Sequence, residues 1–198
     1  VTLVIAIDHP LALPGILLPG LVICVFVMTS MGPEHSRRRI AGTSALVGFY
    51  CIGFGIMGRL LLTWGIWSAL AVLIICWAGD SAAYFTGIAF GRHKLMPRVS
   101  PKKSWEGFIG GIAGSLGGSA LAAHFGSLPL VPLLVIGFLG GIAGVLGDLF
   151  ESSIKRDAGV KDSSGLLLGH GGILDRFDSV VAAAPVAMTV LILFEISL

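Results

Sequence analysis

The sequence predicts an all-α, polytopic integral membrane protein with about six transmembrane helices. Three observations carry that prediction. Hydrophobic residues fill 55% of the 198 positions and mean hydropathy is +0.95, far above what a soluble domain needs for its core. Several windows reach or approach the roughly 20 consecutive apolar residues that cross a bilayer as a helix. The cations are also segregated, with 12 of the 13 Lys and Arg residues in three polar segments and only Arg59 outside them.

Reading apolar windows against breakers places the spans at about residues 3–30, 41–58, 60–79 with an extension toward 90, 107–125, 129–148 and 179–198. Pro10, Pro14 and Pro19 interrupt the first of these, which is expected to be kinked, re-entrant or partly interfacial. The chain opens at Val1 directly in apolar sequence without a basic leader. No cleavable signal peptide is expected there, and a trimmed N-terminus is. Trp64, Trp67, Trp77 and Trp105 suit interfacial anchors.

Three polar loops separate pairs of spans, at 32–40, 91–106 and 149–178, so all three are expected on one side. They carry Arg37, Arg38 and Arg39, then Arg92, Lys94, Arg98, Lys102 and Lys103, then Lys155, Arg156, Lys161 and Arg176. Cationic loops stay cytoplasmic, which orients that side. For Arg37 to Arg39, setting orientation and touching anionic headgroups is explanation enough.

Glycine supplies 29 residues, about twice its usual share. The runs "GFIGGIAGSLGG" and "GFLGGIAGVLG" place small residues at spacings of three and four, which lets helix backbones approach closely in lipid. Packing faces are expected, within one chain or between two copies of a homodimer. Cys24, Cys51 and Cys76 lie in apolar windows without metal-ligand spacing and read as small buried hydrophobes.

The acidic residues are more informative. Eight of eleven fall in or beside the two larger loops, and Asp80 and Asp148 each end a long apolar run. An aspartate within the membrane costs about 2.5 to 3.5 kcal/mol on insertion scales, so such residues usually have a partner or a task. The simpler alternative is that both mark helix ends at the interface. Asp148 and Glu151 are three apart, as are Asp175 and Asp178, and on a helix each pair would face one way and repel. A hard divalent cation such as Mg²⁺ would compensate them; so would ion pairs with Lys155 and Arg176. The nearby "SPKKSWEG" and "SSIKRDAGVKD" add lysines and arginine, and Gly169, Gly171 and Gly172 bare backbone N–H groups around His170. Cations, carboxylates and bare backbone together suit a polyphosphate and its metal. Phosphate transfer at the cytoplasmic membrane surface is as far as residue chemistry leads.

The run from Ser152 to Asp178, "SSIKRDAGVKDSSGLLLGHGGILDRFD", closely resembles the signature of phosphatidate cytidylyltransferases, also called CDP-diacylglycerol synthases. Ser152, Lys155, Arg156, Lys161, Asp162, His170, Gly171, Gly172, Asp175, Arg176 and Asp178 match its fixed positions, and Leu168 departs where the family usually has proline or glycine. "GDSAAYFTGIAFGRHKLMPRVSPKKSWEG" and "GDLFES" upstream are also similar to the family, so the likeness is specific from about 76 to 179.

The resemblance implies transfer of CMP from CTP to phosphatidate, giving CDP-diacylglycerol and pyrophosphate, with Mg²⁺ and a second ion, monovalent or divalent. It implies Asp148, Asp175, Asp178 and then Asp80 as metal ligands. Lys161 and His170 join the catalytic set, His170 to orient phosphate or protonate the leaving group. Ser100, Lys102, Lys103, Glu106, Ser152, Lys155, Arg156, Asp162 and Arg176 fall to substrate binding. The chain then divides into an N-terminal membrane segment, 1–60, and a catalytic membrane domain, 61–198, that holds loops 91–106 and 149–178. CTP, phosphatidate and the bilayer are the expected partners, and nucleic acid is not. Two other activities remain open. A CTP-dependent lipid or polyprenol kinase would release CDP instead of pyrophosphate. A cation transporter would use Asp80, Asp148 and Asp175 as an ion path, with flux that needs no nucleotide.

Overall fold

The computed structural model describes residues 37–157, 159 and 176–194. The span expected at 3–30 lies outside them. Helix α1 runs Arg37–Trp64, α2 Ile66–Phe90, α3 Trp105–Gly126, α4 Leu130–Asp157 and α5 Asp178–Leu193. Between α2 and α3 two short strands, β1 at Lys94–Met96 and β2 at Ser100–Ser104, pair antiparallel as a hairpin.

The described chain is thus helical apart from that hairpin. Four segments, Gly42–Trp64, Ile66–Phe90, Trp105–Gly126 and Leu130–Asp157, are long and apolar enough to cross a membrane. At 1.5 Å per residue the 25 residues of α2 extend about 37 Å, more than a hydrocarbon core of roughly 30 Å. The outer surface agrees, since Leu62, Phe85, Ile88, Phe90 and Ile109 stand exposed on the helices. A helical bundle that is greasy outside as well as inside is built for lipid. The protein is an integral membrane protein.

Two boundaries differ from the sequence expectation. The first helix does not stop near residue 58: Arg59 and a fully buried Leu60 continue it, and the break falls at Gly65. Gly65 has φ +78°, a conformation that a side chain resists, and Ser68 Oγ donates to the carbonyls of Leu60 and Gly65 that the corner leaves open. The polar segment expected from 149 begins later, because α4 continues through "LFESSIKRD" to Asp157. Charged residues at four-residue spacing pair along its surface, so polarity there does not mean loop.

Small residues hold the helices together, as their spacing implied. Gly107, Gly111, Gly114 and Gly118 on α3 lie against Ala78, Gly79, Ala82 and Ala83 on α2. On α4, Gly137 and Gly141 face Ser115 and Ser119 of α3, while Gly144 and Gly147 face Ser179, Ala182 and the Asp178 carbonyl of α5. Successive helices run antiparallel, with Leu60, Val72, Ile75, Ile136, Val180 and Ala184 in the shared core. The late part of α2, the hairpin, the start of α3, the end of α4 and the start of α5 consequently share one end of the bundle.

Candidate active site

The hairpin forms because Glu106 gathers its base. Its carboxylate accepts from the backbone N–H of Arg92 at 3.2 Å and of His93 at 3.3 Å, and lies 2.6 Å from His93 Nδ1. Trp105 N–H closes the ring on the His93 carbonyl at 2.9 Å. Ser104, buried, ends β2 and caps α3 by accepting from Gly107 N–H at 3.1 Å, a bond that satisfies one of the open donors of a helix start. Glu106 thus serves the hairpin's geometry, and through it the two lysines just upstream.

Neighbouring residues of a strand point to opposite faces, and β2 uses this. Lys102 is exposed, whereas Lys103 turns toward the helices and places Nζ 2.6 Å from Asp148 Oδ2. Ser152, one turn on along α4, donates to Asp148 Oδ1 at 3.1 Å. Arg156, two turns on, donates from Nε to the Val99 carbonyl in the hairpin turn at 3.3 Å. Ser100 is half-buried on β2, opposite Met96. Hairpin and α4 are therefore joined at two places, by one ion pair and one side-chain-to-backbone bond.

Two further aspartates face the same region. Asp80 lies ten residues before the end of α2 and Asp148 nine before the end of α4, so neither marks a helix end. Asp80 lies within electrostatic reach of Asp148 and Lys103 and near the Ser179 side chain. Asp178, buried at the first position of α5, receives Ser179 N–H at 2.6 Å and sits 3.2 Å from Ser179 Oγ. Its carboxylate repels those of Asp148, Glu151 and Asp80. Carboxylates from three helices thus lie within electrostatic reach of one another, and a carboxylate at a helix start is favoured by the open N–H groups there.

The Asp148 and Glu151 repulsion foreseen from their spacing is met by lysines. Lys103 neutralises Asp148, and Lys155 lies 3.2 Å from Glu151 Oε1. Glu151 is 1% exposed and its other oxygen accepts from Tyr50 OH of α1 at 2.5 Å. Tyr50 and Ser179 belong to no motif singled out in the sequence. A tyrosine inside an apolar span was the available signal, because a buried phenol needs a polar partner.

Of the sequence-derived site residues, Asp80, Lys103, Asp148, Ser152 and Asp178 come together. Lys155 and Arg156 adjoin them on α4, and Arg176 is exposed just before α5. Lys161, Asp162, His170 and Asp175 lie outside the described residues. Among the described residues no three His, Cys, Asp or Glu side chains enclose a metal position. The donors that do converge are hard carboxylate oxygens, the chemistry that Mg²⁺ selects.

The model of the cytidylyltransferase family matches residues 1–194. The phosphatidate cytidylyltransferase of Haemophilus influenzae is 49% identical over 127 residues, 61% of this chain and 44% of that protein. The enzyme of the same name from Pseudomonas aeruginosa is 47% identical over 120 residues, 59% of this chain and 44% of that one. That of Bacillus subtilis is 41% identical over 147 residues, 73% and 55% respectively. The chain spans about half the length of the curated relatives it matches.

Proposed function

The chain belongs to the cytidylyltransferase family, and we propose that it transfers CMP from CTP to phosphatidate, forming CDP-diacylglycerol and pyrophosphate with Mg²⁺ as cofactor. The convergence of Lys103 and Asp148 with Asp80 and Asp178 at one end of a membrane bundle carries the proposal. A soluble nucleotide and a membrane lipid can meet only at such a surface. Both substrates are phosphorylated, so catalysis is chiefly positioning and relief of crowded negative charge.

A phosphatidate oxygen attacks the α-phosphorus of CTP, and the bond to the bridging oxygen breaks to release pyrophosphate. The attacking phosphate is already an anion near neutral pH, so a strong general base is not required. Lys103, Lys155, Arg156, Lys161 and Arg176 hold phosphate oxygens by charge-assisted bonds, and exposed Lys102 guides the nucleotide in. Asp148, Asp175 and Asp178, and then Asp80, would hold Mg²⁺ and a second ion, monovalent or divalent. Bound there, the metal supplies charge neutralisation at the phosphates. His170 orients a phosphate or protonates the departing pyrophosphate. The apolar helix faces leave the acyl chains in the bilayer, and the cation-rich end faces the cytoplasm, where CTP is found.

Turnover of CTP labelled in the α-phosphate, in phosphatidate mixed micelles with Mg²⁺, tests this directly. Label is expected in CDP-diacylglycerol with the unmodified protein and to disappear with Asp148→Asn or Asp175→Asn. Folded protein that puts no label into lipid would overturn the proposal.

A further inference from the structure

We infer that Tyr50 and Glu151 form a positioning pair for Lys155, so that a residue of α1 outside the family's signature governs how this lysine meets a substrate phosphate. The inference rests on the phosphate-binding role proposed for Lys155 above.

The three groups form a chain. Tyr50 OH donates to Glu151 Oε2 at 2.5 Å, and Lys155 Nζ sits 3.2 Å from Glu151 Oε1. All three are withdrawn from solvent, with Tyr50 6% and Glu151 1% exposed and the Lys155 side chain 11%. A carboxylate so placed is tolerable only when both oxygens are engaged, and here each has its own donor. An ammonium has three N–H donors, and the Glu151 contact fixes the direction of one of them.

The direction of aim follows from α4. Residues three, four and seven apart lie along one helix face, and Asp148, Glu151, Ser152 and Lys155 are so spaced. Lys155 therefore stands on the face that carries Asp148, with Asp178 close enough to feel the Glu151 charge. A phosphate held by Asp148-bound metal and by Lys155 would bridge about two turns of one helix.

Tyr50 is suited to the task because it is itself fixed. Phe49 packs edge-on at 5.4 Å and Phe54 stacks at 6.1 Å between centroids, and Phe49 also meets Phe150 on α4 at 5.4 Å. The phenol is a neutral donor, so it restrains Glu151 while leaving the carboxylate charge for Lys155. A second lysine in its place would compete for that charge. A purely structural contact would tie α1 to α4 equally well, and the two roles differ in what happens to Lys155.

The test is Tyr50→Phe in the purified protein, with Glu151→Gln as a second variant that keeps shape and removes the charge. Two quantities are read: kcat/KM in phosphatidate mixed micelles, and the rate of amine labelling at Lys155, peptide by peptide, with Lys103 as the internal reference. Loss of a hydrogen bond to a charged group predicts about a tenfold fall in kcat/KM, and the Glu151 oxygen left without its donor lowers the melting temperature by several degrees. Lys155 labelling should rise several-fold while Lys103 labelling stays constant. Unchanged Lys155 labelling, or unchanged kcat/KM, would overturn the inference and leave a structural contact. Absence of turnover in the unmodified protein would overturn the phosphate reading of the site, and the inference with it.

Discussion

Lys102 and Lys103 are adjacent in sequence and equally basic, yet the hairpin gives them different work, which makes their comparison a sharp test of the site. Replacing Lys103 by Met keeps the length of the stem and removes the ammonium that sits 2.6 Å from Asp148. The two side chains are 24% and 33% exposed, so the pair is neither a fully solvated surface bridge, worth well under 1 kcal/mol, nor a dry one. A charge-assisted bond in such a place is worth about 2 kcal/mol. At 1.4 kcal/mol per factor of ten, turnover should fall about 30-fold. Lys102→Met, on the outward face of β2, should cost less than about threefold, the share of a solvated charge in attracting the nucleotide. The assay is initial-rate CTP turnover at fixed surface concentration of phosphatidate. A Lys102→Met loss equal to or greater than that of Lys103→Met would refute the assignment of faces, and with it the placement of the hairpin over α4.

Glu106→Ala should release the base of the hairpin from Arg92 and His93 and bring activity down toward that of Lys103→Met, with little change in the melting temperature of the helical bundle. Combining the two substitutions should then add less than the sum of the single losses, since both act through the same ammonium; additivity would sink that claim. Chelation of Mg²⁺ should abolish turnover, and restoring Mg²⁺ should recover it within the same sample. Full activity in excess chelator would remove the carboxylate cluster from the mechanism.

Much of the fold was legible because lipid leaves the chain few options. Long apolar windows must be helices in a bilayer, and the glycine spacing announced which faces pack. What escaped had weaker local signals. Strands of three and five residues containing Pro101 and three lysines offer no hydrophobic alternation, so the hairpin was invisible. The run from Leu149 to Asp157 looked like a loop because of its charge, although the spacing of Asp148 with Ser152 and of Glu151 with Lys155 was already helical. Within the site, motif reading found Asp148, Asp178 and Lys103, since each stands in a quotable stretch. It could not find Tyr50, 101 residues from its partner Glu151, because such a contact exists only after α1 has packed against α4.

The glycine faces and the aspartates are one design, and Gly147 is where this can be tested. Aspartate is short, so carboxylates from different helices meet only if the helix axes come close. Asp80 and Asp148 are each preceded by a glycine at a packing surface. A methyl group on Gly79 would strike Ser115 Oγ, and one on Gly147 would overlap Ala182 Cβ and come within 2.9 Å of the Asp178 carbonyl. On helix propensity alone, Gly147→Ala should stabilise α4 by about 1 kcal/mol. The structure predicts the opposite for function, because α5 must shift away and carry Asp178 with it. Displacement of a site carboxylate by a fraction of an ångström to 1 Å typically costs up to about 100-fold, so turnover should fall at least tenfold while helical content by circular dichroism is kept. Gly48→Ala, on a part of α1 where the added methyl meets nothing within 4 Å, should leave turnover unchanged. Wild-type activity in Gly147→Ala would mean that Asp178 does not depend on the α4–α5 approach, and that the small residues serve packing alone.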